Sequence, residues 1–546
     1  MADIEIKLVF YRTLFSQSAA SVTMGSLAAF LEQHNFCVSL CLWERDGLHN
    51  AEKITTGRNK INIVIAKPNF KDFKLMIPLL AELKKQKATA KVFFCGPFAS
   101  INANSIMADL PWLDGIIIGQ PEETALELLS LISQKKPIKK CAGGIWRKAT
   151  GGRVSSYQLR SHRLKLNELP FPRRDVEKTE RGLYVNLEAS RGCVGQCSFC
   201  HIPLISNLTG CSAIDYRQPK LVVKEMARLY KTLGKELFIF NDSCFWRNDG
   251  DNERILEFCR ELKKLKLPLK FYIYLKCYPR LPDKILAALS EAGLVRVFLG
   301  IENISNKSQK VFNKKIPLTA YEEIKKQFDR YGINIHIGYI VAEPYSSLDD
   351  INNNLKYLRK IGKLFRLGVI LETVRVVPQS GLHRQLLKDG LIASELSYDK
   401  LTYGYKYKYP AVGRFVAEIK KLFLMELNPE AYEFEYYCTT GDILRVLCRR
   451  WDHRVYHQLD DVFSQFYKQR DKIMDLLLDF LLQLSRTAAL DKNKKLFMQK
   501  RRQKFITDFR REFLVLQVHY AVLCREIKNQ GGERVVNCLY HGLERV

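Results

Sequence analysis

The sequence predicts an α/β protein. A doubly wound, Rossmann-like domain spans 1–135, a hairpin and linker 136–180, a partial (β/α)6 barrel 181–390, and a mostly α-helical domain 391–546. Three observations carry this. Short apolar runs alternate with amphipathic helical runs in two separate series, the pattern of a parallel sheet covered on both faces. Glycine and proline crowd the stretch between the two series, and they block regular structure. Beyond about 390 the strand signal fades and helical spacing takes over.

In the first series "IEIKLVFY", "CVSLCLW", "INIVIAKP" and "AKVFFCGPFAS" read as strands, the last running into a Gly-Pro turn. "GSLAAFLEQHN" and "FKLMIPLLAELKKQK" have helical spacing, and "LDGIIIGQPEETALELLSLI" reads as strand, turn and helix. "CAGGIWRKATGGRVSSYQ" is a glycine-turned hairpin and "NELPFPRRDV" a stiff linker. The second series places strands near 183–189, 236–240, 271–275, 295–300, 333–341 and 368–377, with helices such as "KLVVKEMARLYKTLG" and "LPDKILAALSEAG" between them. Six such units predict a barrel whose active end is the carboxyl end of its strands. "PAVGRFVAEIKKLFLMEL" and "VFSQFYKQRDKIMDLLLDFLLQLS" typify the helical remainder.

Across 546 residues, 47% hydrophobic and 27% charged, the composition is globular and excludes a disordered or collagen-like chain. The most apolar run, "DLLLDFLLQL" at 475–484, carries two aspartates, so no stretch reaches the ~18–20 apolar residues of a membrane span. "MADIEIKLVF" has no basic-then-apolar leader, which predicts a cytoplasmic protein whose 15 cysteines are mostly reduced. The net charge of +29 is spread along the chain and favours anionic partners.

The sharpest motif is "SRGCVGQCSFCHIP". Cys193, Cys197 and Cys200 follow the first strand of the second series with spacing C-x3-C-x2-C. Three thiolates in one loop can hold three irons of a 4Fe-4S cluster and leave the fourth iron open to a ligand. His201 beside them leaves four-coordinate zinc as the alternative. Cys244 and Cys277 follow barrel strands and are candidates for contact with substrate.

The cysteine spacing, Phe199, the "RGC" lead-in and the strand-then-βα context resemble the radical S-adenosylmethionine (SAM) enzymes over roughly 180–380. The resemblance implies a 4Fe-4S cluster whose open iron chelates SAM, reductive cleavage to a 5′-deoxyadenosyl radical, and an external electron donor of flavodoxin or ferredoxin type. It also places Asn241 and Asp242 in "FIFNDSCF" near the SAM amino group, and Gly300 and Glu302 in "VFLGIEN" near the ribose or amino acid. Gly338 in "NIHIGYIVAEP" would pass the adenine, while "VAEPY" departs from the usual glycine-rich turn and puts Glu343 in question.

The first series resembles the cobalamin-binding domain of cobalamin-dependent radical SAM enzymes. "CGPFAS" after a strand, then Leu-Pro, Asp, apolar strand, Gly and Glu, is that family's run. The resemblance makes Gly96, Pro97, Gly119 and Glu122 cobalamin-site residues, the glycines letting backbone approach a bulky ligand. The loop "RTLFSQSAASVTMG" lacks the D-x-H-x-x-G found in other cobalamin domains, and His49 stands in the wrong loop. The lower cobalt face is therefore expected to lack histidine, with the loop Lys67 to Asp72 beneath it.

Together these resemblances imply methylation of an unactivated carbon, or phosphorus: one SAM methylates cobalamin, a second yields the radical, and the substrate radical takes the methyl group. A rearrangement or cyclisation without methyl transfer is the alternative enzyme, and a cobalamin sensor with an inert barrel a third reading. The expected substrate is a small molecule or peptide, and the basic charge favours an anionic one. Nucleic-acid modification is the weaker reading, because the "YGYKYKYP" run (403–410) and the basic "KKLFMQKRRQKF" (494–505) both read more simply as solvated surface.

Overall fold

The computed structural model describes residues 4–11, 19–43, 61–68, 73–87, 89–147, 154–155, 157–160, 164–179, 184–210, 213–317, 319–371, 373–397, 402–451, 453–488, 495–533 and 536. The loop around His49, most of the stretch expected beneath cobalt, and the "RTLFSQS" segment lie outside the described residues.

The N-terminal sheet contains β1 (Ile4–Tyr11), β2 (Val38–Trp43), β3 (Ile61–Lys67), β4 (Lys91–Phe94), β5 (Gly115–Ile117) and β6 (Gly144–Trp146), in the order β2-β1-β3-β4-β5-β6. Successive side chains point to opposite faces, and both faces are apolar. Leu8, Ile63, Ile65 and Phe93 pack against Met24, Leu27 and Leu31 of α1 (Ala19–Gln33) and against Leu128 and Leu129 of α5 (Glu122–Ser133). Val9, Val64, Val92 and Phe94 pack against Phe73, Met76 and Leu80 of α2 (Phe73–Gln86), near α3 (Pro97–Ile101) and α4 (Ala103–Asp109). The doubly wound expectation holds for five parallel strands. The sixth corrects it: β6, the first arm of the expected hairpin, joins β5 antiparallel and extends the unit past residue 135. Trp146 explains why. It is wholly buried, and its ring fills the space that side chains at Gly115 and Gly144 would need.

The linker is clamped, not loose. Arg174 precedes α6 (Asp175–Thr179) and is buried in ion pairs with Glu225 (2.6 Å) and Glu177 (3.1 Å). Arg173 N donates to Gly25 O on α1 (3.1 Å), so the linker lies against the first domain.

The second sheet orders β13 (Asn334–Tyr339), β12 (Leu294–Glu302), β11 (Lys270–Lys276), β10 (Leu237–Phe240) and β7 (Tyr184–Leu187), all parallel. Helices α8 (Pro219–Leu233), α9 (Asn252–Lys264), α10 (Asp283–Glu291), α12 (Ala320–Arg330) and α13 (Leu348–Lys360) alternate with these strands. Outward residues such as Phe271, Val297 and Ile335 are buried, whereas inward Tyr274, Arg296, Phe298 and His336 keep part of their surface open. The strands therefore enclose a lumen. The sixth expected strand, 368–377, is instead α14 (Leu367–Leu371) and an irregular run tied to a short hairpin, β14 (Ile392–Ser397) and β15 (Thr402–Tyr405). Val376 N donates to Thr402 Oγ1 there (2.7 Å).

The remainder is helical as expected: α16 (Pro410–Lys421), α17 (Glu430–Trp451), α18 (His453–Gln458), α19 (Asp460–Ala488) and α20 (Lys495–Asn529). These helices do not form a separate core. Phe415, Leu444, Phe466 and Phe509 belong to the same continuous cluster as the outer face of the barrel, and α17 covers the edge strand β13. An unpaired edge is a liability that such a cover removes.

Candidate active site

The cysteine loop leaves β7 at the carboxyl end of the sheet, through β8 (Ser190–Arg191), which pairs with β9 (Asp215–Tyr216). Gly192 takes φ +106°, a conformation L side chains rarely adopt, and so turns the chain into Cys193. The far side of the loop is anchored to α11 (Asn306–Val311) and α15 (Gly381–Lys388). Ser198 N donates to Phe312 O (3.0 Å), Ser198 Oγ to Val311 O (2.6 Å) and Leu382 N to Ser198 O (2.9 Å). Phe199, part of the motif, packs edge-on against Phe312 at 5.1 Å. All three thiols are half-buried. A side chain at Gly195 would stand 3.3 Å from Cys193 Sγ and 3.9 Å from Cys197 Sγ, so those two sulfurs flank one small space. Burial pushes the Cys200 thiol up to about 11, with the Ile202 N–H working the other way. Among the described residues, no three His, Cys, Asp or Glu side chains gather around a single-ion position. Tetrahedral zinc needs sulfurs about 3.8 Å apart, from Zn–S bonds near 2.3 Å. A cluster spreads its cysteines over different irons. His201 is exposed next to the loop. The donor set fits a three-cysteine cluster.

The strand ends bring together some expected residues and remove others. Glu302 takes φ +67° at a register shift between β12 and β13, and its carboxylate meets Lys314 Nζ at 2.7 Å. The same ammonium donates to Gly300 O (3.0 Å), and a side chain at Gly300 would strike both groups. Asn241 is half-buried at the end of β10, its N–H on Leu187 O. Gly338 makes room for a ring: a Cβ there would lie 2.5 Å from Phe298 Cζ.

Asp242 has no exposed surface and cannot meet a ligand at the SAM amino group as expected. It accepts from Ala189 N (3.0 Å) and Ser190 Oγ (2.5 Å), so it pins the root of the cysteine loop. Glu343 is likewise fully buried, accepting from Ser308 Oγ and Tyr345 N. Cys244 and Cys277 are buried too, which removes them from substrate contact.

Sequence reasoning missed Lys276 and Lys314. Lys276 Cε would lie 3.9 Å from a Cβ at Gly195, inside the cysteine loop, and both ammonium groups act to lower the Cys197 thiol, which burial raises. Lys276 ends β11, and that position was the one available signal.

In the first domain Gly96 (φ +91°) and Gly119 (φ +80°) follow β4 and β5; Gly96 is buried and Gly119 half-buried, while Pro97 is exposed. Pro97 starts α3. The Lys67 side chain crosses beside Gly96 and donates to Thr23 Oγ1 (2.9 Å). Glu122 departs from its expected role: it is buried and pairs with Arg191 Nη2 at 2.9 Å, joining the first domain to the root of the cysteine loop. Alongside it α3 packs on α7 (Ile202–Leu208), the helix that follows Cys200. The ligand end of the first sheet thus meets the cysteine loop. In the tyrosine-lysine run the rings pack, Tyr403 stacking on His383 at 4.4 Å, and the lysines are exposed. A cleft of about 1560 Å³ opens at the opposite end of the strands beside Asn334, Lys363 and Asp442, away from the cysteines.

Burial raises the Asp242 carboxyl to about 7 from 3.8, against the hydrogen bonds of Ser190 and Ala189. A carboxyl with a raised folded pKa contributes stability that is full below about 4 and is lost as pH rises towards about 7. In the metal-free chain, Asp242→Asn should flatten that part of the urea-midpoint profile between pH 4 and 7. Parallel profiles for the two proteins would refute this account.

Residues 187–375 match the family model of the Radical SAM superfamily. That stretch, which carries the cysteine loop and β10 to β13, is a radical SAM domain. Its fold is also that of the cobalamin-dependent radical SAM enzyme OxsB, solved with aqua-cobalamin: TM-score 0.65 at 14% identity, covering 99% of this chain and 84% of that one. The radical SAM methyltransferase TsrM from Kitasatospora setae, solved with cobalamin and a [4Fe-4S] cluster, aligns with TM-score 0.57 at 16% identity over 71% of this chain and 78% of its own. The anaerobic magnesium-protoporphyrin IX monomethyl ester cyclase of Rubrivivax gelatinosus is 25% identical over 264 residues, 46% of each chain. An uncharacterized methyltransferase of Pyrococcus horikoshii is 21% identical over 271 residues, 49% of this chain and 57% of its own. The chain spans about half the length of these curated relatives.

Proposed function

We propose that this radical SAM protein is a cobalamin-dependent methyltransferase acting on an unactivated carbon or phosphorus centre. The observation that carries the reading is the docking of the first domain, through α3 on α7 and Glu122 on Arg191, directly onto the cysteine loop. Two cofactors held on those two surfaces would face one cavity, the arrangement that handing a group to a short-lived radical requires. Bound there, cluster and SAM supply a 5′-deoxyadenosyl radical, and cobalamin supplies the methyl group. Cys193, Cys197 and Cys200 would ligate the cluster, with the Lys276 and Lys314 ammonium groups offsetting its negative charge. Asn241, Glu302 and the backbone at Gly300, at the carboxyl ends of β10 and β12, would orient SAM. Gly119 and the exposed Pro97 would meet the corrin, with Gly96 shaping the turn beneath the Lys67 side chain.

The test uses SAM with a deuterated methyl group, a low-potential reductant and candidate substrates. Substrate should raise S-adenosylhomocysteine and 5′-deoxyadenosine together at about one to one, and the label should enter the product. The first product marks polar methyl donation and the second marks reductive cleavage. A substrate-dependent rise of 5′-deoxyadenosine alone, with no added methyl mass, would replace this reading with a rearrangement or cyclisation.

A further inference from the structure

The inward faces of the barrel strands stack in layers. Register aligns Ile239, Tyr272, Arg296 and Asn334 in the lowest layer, Tyr274, Phe298 and His336 above it, and Lys276, Gly300 and Gly338 at the cysteine end. Arg296 therefore lies four residues, about 13 Å, below the Gly300 layer.

The charges at this floor are unevenly matched. Arg366 has Glu435 at 2.7 Å, Lys363 has Asp442 at 2.8 Å, and Arg470 shares Asp442 at 3.1 Å. Among the described residues no carboxylate forms an ion pair with Arg296; Asp442, already shared by Lys363 and Arg470, acts on it only from farther away. Its Nε is buried without a hydrogen-bond partner, and its guanidinium lies over the Tyr272 ring at 5.4 Å. Desolvation, with Arg366 adding to it, disfavours the Arg296 charge and outweighs the opposite pull of Tyr272 and Asp442. A half-buried guanidinium whose Nε has no hydrogen-bond partner is costly to desolvate further unless an anion joins it. Above it the lumen is walled by rings. Tyr274 and Phe298 stand 5.0 Å apart, Phe298 and His336 5.2 Å apart, and Tyr272 Oη is 2.9 Å from His336 Nδ1. Gly338 lets Phe298 lie flat across the strands.

We propose that the lumen floor selects a planar-ring substrate bearing a carboxylate or phosphate, with Arg296 binding the anion and Tyr274, Phe298 and His336 flanking the ring. This rests on the reading of the lumen as the substrate site of the proposed enzyme. It places the anion deep and the reacting centre towards the cysteine loop. The net charge of +29 draws such substrates in.

Ligand-observed NMR titration of the full chain, without iron, SAM or cobalamin, tests it with phenyl phosphate, benzoate, benzyl alcohol and inorganic phosphate. At least one of the two ring anions should bind about 10- to 100-fold more tightly than benzyl alcohol, the range expected for a hydrogen bond to a charged group. Whichever ring anion is tighter identifies the acid group. Arg296→Met should weaken that anion by the same factor and leave benzyl alcohol unchanged, and Arg296→Lys should fall between. If Arg296→Met does not fold, Arg296→Lys and the ligand series on the unaltered chain decide. Equal binding of ring anion and benzyl alcohol, or no loss in either variant, overturns the proposal. Inorganic phosphate binding as tightly as phenyl phosphate overturns the role of the rings. Because no cofactor is present, failure here is separate from failure of the SAM-labelling test.

Discussion

Replacing Cys193, Cys197 and Cys200 together with alanine is expected to abolish cluster assembly and SAM cleavage while leaving the fold in place. The loop's anchors explain the separation. Ser198 is held by Phe312, Val311 and Leu382, and Asn313 Nδ2 donates to Gln196 O at 2.8 Å; none of these bonds uses a thiol. Changes at half-exposed positions outside a packed core usually move stability by no more than about 0.5 kcal/mol. After anaerobic reconstitution, iron should fall from about four per chain to none, and the cluster's visible absorption and reductive SAM cleavage should vanish with it. Buried Cys244→Ala and Cys277→Ala should behave oppositely, costing stability through lost packing but keeping full iron. A triple variant that retains a cluster, or zinc alone restoring SAM cleavage, would remove the assignment.

Those cysteines were legible in the sequence because their spacing is local. Three thiols within eight residues need no tertiary information to be recognised as a set. The alternation of strands and helices was legible for the same reason, since burial on both sheet faces writes apolar runs into the chain. Other features depended on partners far away in sequence. Trp146 completes the first sheet by filling space left at Gly115, so "GIW" reads as a hairpin arm until its partner strand is placed. Asp242 and Glu122 carry the residue types of ligand contacts, yet their oxygens are taken by Ala189, Ser190 and Arg191. Burial decides between those uses, and burial is a property of the assembled fold. Lys314 was missed because only folding brings the turn after α11 beside the cysteine loop. The stretch 368–377 has a strand's apolar content but lies where the C-terminal helices pack, and there α14 forms instead.

The second large effect is expected at the joint between the two domains. Arg191 stands between Glu122 (2.9 Å) and Glu188 (2.8 Å) and has only 12% of its side chain exposed. Burial works against the Arg191 charge, but the two carboxylates outweigh it and hold its pKa above the usual value. Arg191→Met would leave Glu122, 2% exposed, with only the Ser26 hydroxyl at 3.3 Å among the described side chains. Stranding one member of a buried pair costs about 3–5 kcal/mol. The penalty belongs to the lone carboxylate, so Glu122→Gln added to Arg191→Met should return part of it. The double variant should then melt above Arg191→Met alone, a coupling that independent sites would not produce. Hydrogen exchange should quicken in α3 and α7, which pack together beside this pair, and less in the distant α19. Product formation should fall with the docking of the first domain, while iron content, set by the three cysteines, should stay near that of the unaltered chain. Equal melting of the single and double variants, with unchanged exchange in α3 and α7, would mean that the pair does not clamp the domains.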